Sequence, residues 1–240
     1  NTPADSIGRE FYTYDDLVAA KRITGSNVSF VIPRRNWTAG TVYDIYRHDY
    51  GEYTTGSTSV RKTSNSGATT LFDSTFYVLS SARNVYKCLD NNGGAASTDE
   101  PTGVSTSVIT TTDSYKWKFM YTLSAAQQAN FLSTDFMAVS PNSSPSSDQS
   151  NVISAAVDGS IDVVKIKTPG SGGTNGPFTN IPIRGDGSGG LATVVVAGGL
   201  VTSVTVTTPG TGYTFGTISN AQIVAAGATN LAGAELDVII

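Results

Sequence analysis

The sequence predicts a mainly β protein: a β-sandwich core with two short helices, followed by a small Gly/Val/Thr-rich β module. Three observations predict it. Ser (28) and Thr (32) fill 60 of 240 positions while charged residues supply only 14%, against the roughly 25% usual in globular chains; β-branched Thr suits pleated surfaces. Gly (25) and Pro (9) punctuate the chain often enough for many short strands and turns. Finally, only two stretches carry helix caps, and together they cover about a tenth of the residues.

The first of these follows Thr13, with Tyr14-Asp15-Asp16-Leu17 placing acids in the first turn, Lys21-Arg22 in the last and Gly25 as a stop. Strands are then expected at Val28–Ile32, Thr41–Tyr46, Phe76–Leu79 and Val85–Leu89, the last two joined by the hairpin-length loop Ser80–Asn84. Asp90-Asn91-Asn92-Gly93-Gly94 ends that hairpin with residues that tolerate positive φ. Over Tyr115–Thr122 the residues Tyr115, Trp117, Phe119 and Tyr121 share one face at period two, with Lys116 and Lys118 on the other, so this strand is half buried. Ser124 caps the second helix, Ala125–Leu132, and Phe136–Val139 is the last strand of the core.

Composition divides the chain into a core over 1–139, a Ser/Pro-rich linker over 140–150 and the β module over 151–240, where aromatics nearly vanish. The module repeats. Ile161–Gly172 aligns with Val201–Gly212 at a spacing of 40 residues, each copy an alternating strand running into Pro-Gly-hydroxyl-Gly. Two copies are too few for a solenoid and point to a small sheet unit with pseudo-symmetric halves.

Charge and rare residues exclude several functions. A net charge of −4, with 14 acids against 12 bases in the first 150 residues, offers no basic face, so no nucleic-acid partner is expected. Apolar runs are too short for membrane insertion. No signal peptide is visible, and a chain starting at Asn1 reads as a processed or partial product. One His (His48) and one Cys (Cys88) exclude a Cys/His zinc site and an internal disulfide.

The remaining motifs have structural readings. Gly185-Asp186-Gly187-Ser188-Gly189-Gly190 fits a dinucleotide loop in spelling, but the β-branched run Leu191–Val196 follows where a helix is required, so it reads as a turn. Arg184-Gly185-Asp186 spells an adhesion tripeptide inside the same turn. Asp90–Gly94 hints at calcium, yet Ala95 and Pro101 stand where an EF-hand needs Gly and an acid, leaving Asp99 and Glu100 as distant helpers. His48 beside Asp49 lacks a placed nucleophile and reads as a surface or capping residue, while Cys88 reads as a small buried hydrophobe. The four glutamates Glu10, Glu52, Glu100 and Glu235 do not lie between aromatics as a sugar subsite would. Three glycosylation triplets, at Asn27, Asn36 and Asn142, match chance for this Ser/Thr content. No catalytic, cofactor-binding or metal residues are therefore expected, and no cofactor; the chain does not read as an enzyme. The dense tyrosines Tyr12, Tyr14, Tyr43, Tyr46, Tyr50 and Tyr53 read as sheet core and rim, with a binding surface as the other option.

Several segments together resemble the baseplate wedge subunit of T-even-type contractile-tailed bacteriophages, the gene product eight family. They are Asp16–Ile23, Val28–Arg34 through Trp37, Gly40–Tyr43, Phe76–Leu79 with Asn84–Gly94, Glu100–Gly103 and Asp113–Tyr121, in order over roughly residues 5–139. In the second part, Gly210-Thr211-Gly212-Tyr213-Thr214 is similar to the strand-turn repeats of phage structural proteins, while Gly170–Thr174 has Gly173 where Tyr is usual. The resemblance implies a β-sandwich virion subunit in the tail baseplate, assembled in the bacterial host cytoplasm. It further implies a homodimer that holds other wedge proteins in register and catalyses nothing. The alternative is a carbohydrate- or receptor-binding tail module with Tyr213 as a glycan contact; a small secreted hydrolase would need a carboxylate pair. The terminal run Leu236–Ile240 is expected as a bare strand edge awaiting a partner.

Overall fold

A computed structural model describes residues 18–19, 22–47, 50–55, 58–62, 64–140 and 145–240. The alternation read at Tyr115–Tyr121 sets the centre of the first half. Strand β7 (Lys116–Thr122) buries Trp117, Phe119 and Tyr121 and leaves the intervening residues half exposed. It pairs antiparallel with β5 (Asn84–Asp90) and with β6 (Ile109–Thr110), and β4 (Tyr77–Leu79) completes a four-stranded sheet ordered β4-β5-β7-β6. On one face Val78, Tyr86, Cys88, Tyr115, Trp117 and Phe119 pack with Tyr43 and Ile45. A register shift on β5 between Val85 and Tyr86 hands Val85 and Tyr121 to a second cluster, with Tyr77, Leu79, Leu123 and Met137. Tyr115 stacks on Trp117 and Tyr43 meets its edge, geometries that favour aromatic packing.

The first half departs from the sequence reading in three places. The strand expected at Val28–Ile32 is shorter and later: β1 (Val31–Pro33) pairs with β8 (Phe136–Ala138). Thr41–Tyr46 is not a strand, although Tyr43, Asp44 and Ile45 are buried. Two of its backbone N–H groups turn to side chains instead of a ladder, Tyr43 donating to the Tyr115 hydroxyl and Asp44 to Thr75 Oγ1, while Tyr46 N–H reaches Cys88 O alone. The helix expected after Thr13 falls largely outside the described residues; those described before Gly25 are not helical, and Gly25–Asn27 forms a single 3-10 turn. A hairpin, β2 (Gly51–Thr55) with β3 (Thr58–Lys62), stands by itself.

Helix α1 (Ala125–Phe131) forms where expected, Ser124 and Gln127 closing a reciprocal capping box. Two further helices were not expected. α2 (Ser147–Ala155) starts inside the Ser/Pro-rich segment, its Ser146 hydroxyl accepting from Gln149 N–H. α3 (Asn220–Ala225) is started by a second capping box, Ser219 with Gln222.

The second half realises the repeat more fully than its first strands foretold. It contains β9 (Val163–Ser171), β10 (Gly176–Pro182), β11 (Arg184–Gly185), β12 (Leu191–Ala197), β13 (Leu200–Thr208), β14 (Gly216–Thr217) and β15 (Ala232–Ile239). β12 pairs with β13, and β15 pairs with β9. The two ladders correspond residue by residue: Leu191↔Thr208, Thr193↔Thr205 and Val194↔Val204 match Glu235↔Thr168, Asp237↔Lys165 and Val238↔Val164. The register slips at the same place in both, after Leu191 and after Glu235. Thus Ser188–Val196 also repeats, as Ala232–Ile240, and each copy's first strand pairs with the other copy's last. Gly170 (φ 71°) and Gly210 (φ 66°) share a left-handed backbone, as do Gly189 (φ 77°) and Gly233 (φ 72°), which is why glycine recurs there. In copy two α3 replaces the strand β10 of copy one.

The copies exchange side-chain size. Tyr213 is buried over Gly187, whose place for a Cβ lies 2.4 Å from the ring. At the matching positions Leu231 lies over Gly173, a Cβ there falling 3.0 Å from Leu231 Cδ1. The terminal strand has a partner along one edge and none along the other among the described residues. β15 is paired from Ala232 to Ile239, and Ile239 packs in the same cluster as Tyr43, Tyr86 and Trp117, because its alternation faces the first sheet.

Candidate functional site

Among the described residues two surfaces stand apart from ordinary packing. The first is an apolar ridge along β1 and β8. Backbone bonds hold the two segments together, Arg34 N–H to Asp135 O and Val139 N–H to Phe30 O, yet Phe30 is 82% exposed and Phe136 48%, with Val28 and Val31 beside them. Side chains alternate along a strand, so with Ile32 packed inward its neighbour Val31 turns outward, while Phe30 lies just before β1. A groove of about 460 Å³ runs between Phe30, Val139 and the α1 residues Ala126, Asn130 and Phe131. Large aromatic and aliphatic groups left together in water mark contact surfaces.

The second is a cleft of about 610 Å³ where β5 and β7 face α2 and β15. Met120, Val152 and Ile239 supply apolar wall, and Lys87 and Lys118 are directly opposed across the ladder. Lys118 Nζ is neutralised by Asp162 at 2.7 Å. Lys87 has no carboxylate partner among the described residues; its ammonium sits 4.2 Å from the centre of the Tyr46 ring. Burial, and then the charge of Lys118, lower its pKa, while Asp162 partly offsets them.

Most carboxylates are used in holding loops. Asp44 is fully buried and accepts from the N–H and hydroxyl of both Ser66 and Thr75. Burial alone would raise its pKa, but these donors hold it below the ordinary value. Asp113 is opposed by burial in the same way, and Thr111, Thr98, Asp99 and Tyr115 bring it down to about 2. Sequence reading singled out neither, because the donors to Asp44 and half of those to Asp113 come from loops well separated along the chain.

The motifs weighed from sequence are placed as follows. Asp90 is paired with Lys165 at 3.2 Å, and Asp99 accepts from Thr112, so neither faces a shared cation space. Glu100 accepts from the Ser81 N–H and hydroxyl, and Glu235 pairs with Lys167. No group of three or more acidic, His or Cys side chains gathers at metal-binding distance among the described residues. His48, Glu10 and the side chain of Glu52 lie outside them. The 185–190 glycine run leads into strand β12, and the Asp186 carboxylate is taken by Thr214 and the Phe215 N–H. Cys88 is fully buried, and burial pushes its thiol well above its usual pKa. Tyr213 is corrected from surface contact to core: it is 3% exposed, its hydroxyl donating to Ile183 O and accepting from Gly190 N–H.

These features define a class, a mainly β sandwich-like protein. No family model, curated protein or solved structure matches the chain.

Proposed function

We propose that this chain is a structural subunit of a bacteriophage tail baseplate wedge, working in the virion as a homodimer that holds neighbouring wedge proteins in register. The apolar ridge of Phe30, Val31 and Phe136 carries the reading, because groups of that size gain most when a second chain covers them. The chain does no chemistry on a substrate in this reading.

Light scattering on the eluting full chain tests it, beside a Phe30→Ser/Phe136→Ser variant. The reading expects a dimer for the parent and a monomer with an unchanged far-ultraviolet spectrum for the variant. A parent that stays monomeric at high concentration, or a variant that still dimerises, removes the ridge as the interface.

A further inference from the structure

Three side chains meet where the first sheet touches the repeat module. β5 ends at Asp90, the chain turns through Asn91 into the 3-10 turn Asn92–Gly94, and Lys165 reaches across from β9. Lys165 Nζ lies 3.2 Å from Asp90 Oδ1 and 3.1 Å from Asn91 Oδ1. Asn91 is only 2% exposed. Its amide has one allowed orientation: Nδ2 donates to Tyr43 O and Asn65 Oδ1, both at 2.9 Å, while Oδ1 accepts from Gly94 N–H at 3.2 Å. Flipping the amide would set donors against donors. A salt bridge alone accounts for Lys165 and Asp90. The immobilised carboxamide adds an acyl carbon one bond beyond the oxygen that the amine already touches.

We propose that Lys165 and Asn91 condense into an intramolecular isopeptide bond, with Asp90 as the proton carrier. A lysine amine is a competent nucleophile once it loses a proton, and Asp90 is placed to take that proton. The Nζ lone pair forms a bond to Asn91 Cγ, and the negative charge gathering on Oδ1 is met by the Gly94 N–H. The proton held by Asp90 passes to Nδ2, the Cγ–Nδ2 bond breaks and ammonia leaves, and the carboxylate so freed takes the second proton from Nζ to leave a neutral secondary amide. One amine and one primary amide become one secondary amide and ammonia, with no oxidant or reductant. Positioning supplies the rate: fixed contact between reacting groups replaces a bimolecular encounter. The bond would join the four-stranded sheet to β9, so that pulling the halves apart requires breaking a covalent link. The inference stands whether or not the chain belongs to a baseplate.

Intact-mass spectrometry of the purified full chain, aged after folding, reads the reaction as a loss of about 17 Da, one ammonia. Trypsin then separates bond from artefact. The cross-link joins the peptide covering 88–116 to the peptide covering 119–167 and blocks cleavage after Lys165. Lys165→Arg keeps a cation beside Asp90 and Asp90→Asn removes the proton carrier; both are expected at full mass. Full mass in the aged parent overturns the proposal. So does a loss of ammonia confined to peptide 88–116, which marks a succinimide at an asparagine. Cross-linking undiminished in Asp90→Asn overturns the role of Asp90.

Discussion

Reciprocal packing in the two repeat copies makes a quantitative prediction. Replacing Tyr213 by Gly empties a site that is 3% exposed and removes the partners of Ile183 O and Gly190 N–H. Loss of a buried aromatic costs about 3–5 kcal/mol, and the stranded polar groups add about 1–3 kcal/mol. Replacing Gly187 by Leu forces a side chain into space where even a Cβ lies 2.4 Å from the Tyr213 ring and 2.6 Å from its backbone nitrogen. Overpacking of this kind costs about 1–3 kcal/mol or more. The double variant Tyr213→Gly/Gly187→Leu, however, recreates the pair already present as Gly173 and Leu231 in the other copy. Its cost should fall below the sum of the single costs by about 1–3 kcal/mol, the coupling usual for touching residues. Urea unfolding of the parent, both single variants and the double variant measures this directly. Simple additivity, with coupling under about 0.5 kcal/mol, would refute the argument that the copies share one packing scheme with the sizes exchanged.

Two other expectations concern charge. Asp113, held at about 2 against an ordinary 3.8, binds its proton more weakly folded than unfolded. It therefore adds stability above pH 4, and this is lost as pH falls from about 4 to 2. Solvent screening limits the contribution to on the order of 1 kcal/mol; urea midpoints of Asp113→Asn should lie below the parent at pH 7 and converge with it at low pH, and a constant difference would contradict this. Lys87, desolvated and opposed by Lys118, should be better replaced by Met. The loss of its contact with Tyr46, about 0.5–1 kcal/mol, is smaller than the relief from an unpaired half-buried charge, so the melting temperature should rise by a few degrees; a fall of similar size would show that Lys87 is paired more strongly than its contacts indicate.

Period and cap chemistry act locally, and at β7 and α1 the sequence was a sufficient guide. Trp117, Phe119 and Tyr121 are buried at period two as their spacing requires, and Ser124 starts α1 through a bond three residues away. Ser146 and Ser219 use the same local bond, a signal that was present but hidden in segments read as linker and as part of the β module. The candidate surfaces were less legible. Exposure of Val31 and Phe136 depends on which face of the β1–β8 pair is turned to the core, and that is set by Ile32 and Met137 packing inward together. The pairing of Asn91 with Lys165 bridges 74 positions along the chain.

The sequence by itself determined the mainly β class, the half-buried centre of the first sheet and the two-copy repeat, because these rest on side-chain period and glycine's access to left-handed backbone. Tertiary structure alone decided how the copies interlock, where Tyr213 goes and which charges meet. Each of those depends on strand partners brought together from distant stretches of chain, and pairing free energy is shared among contacts that no local window contains.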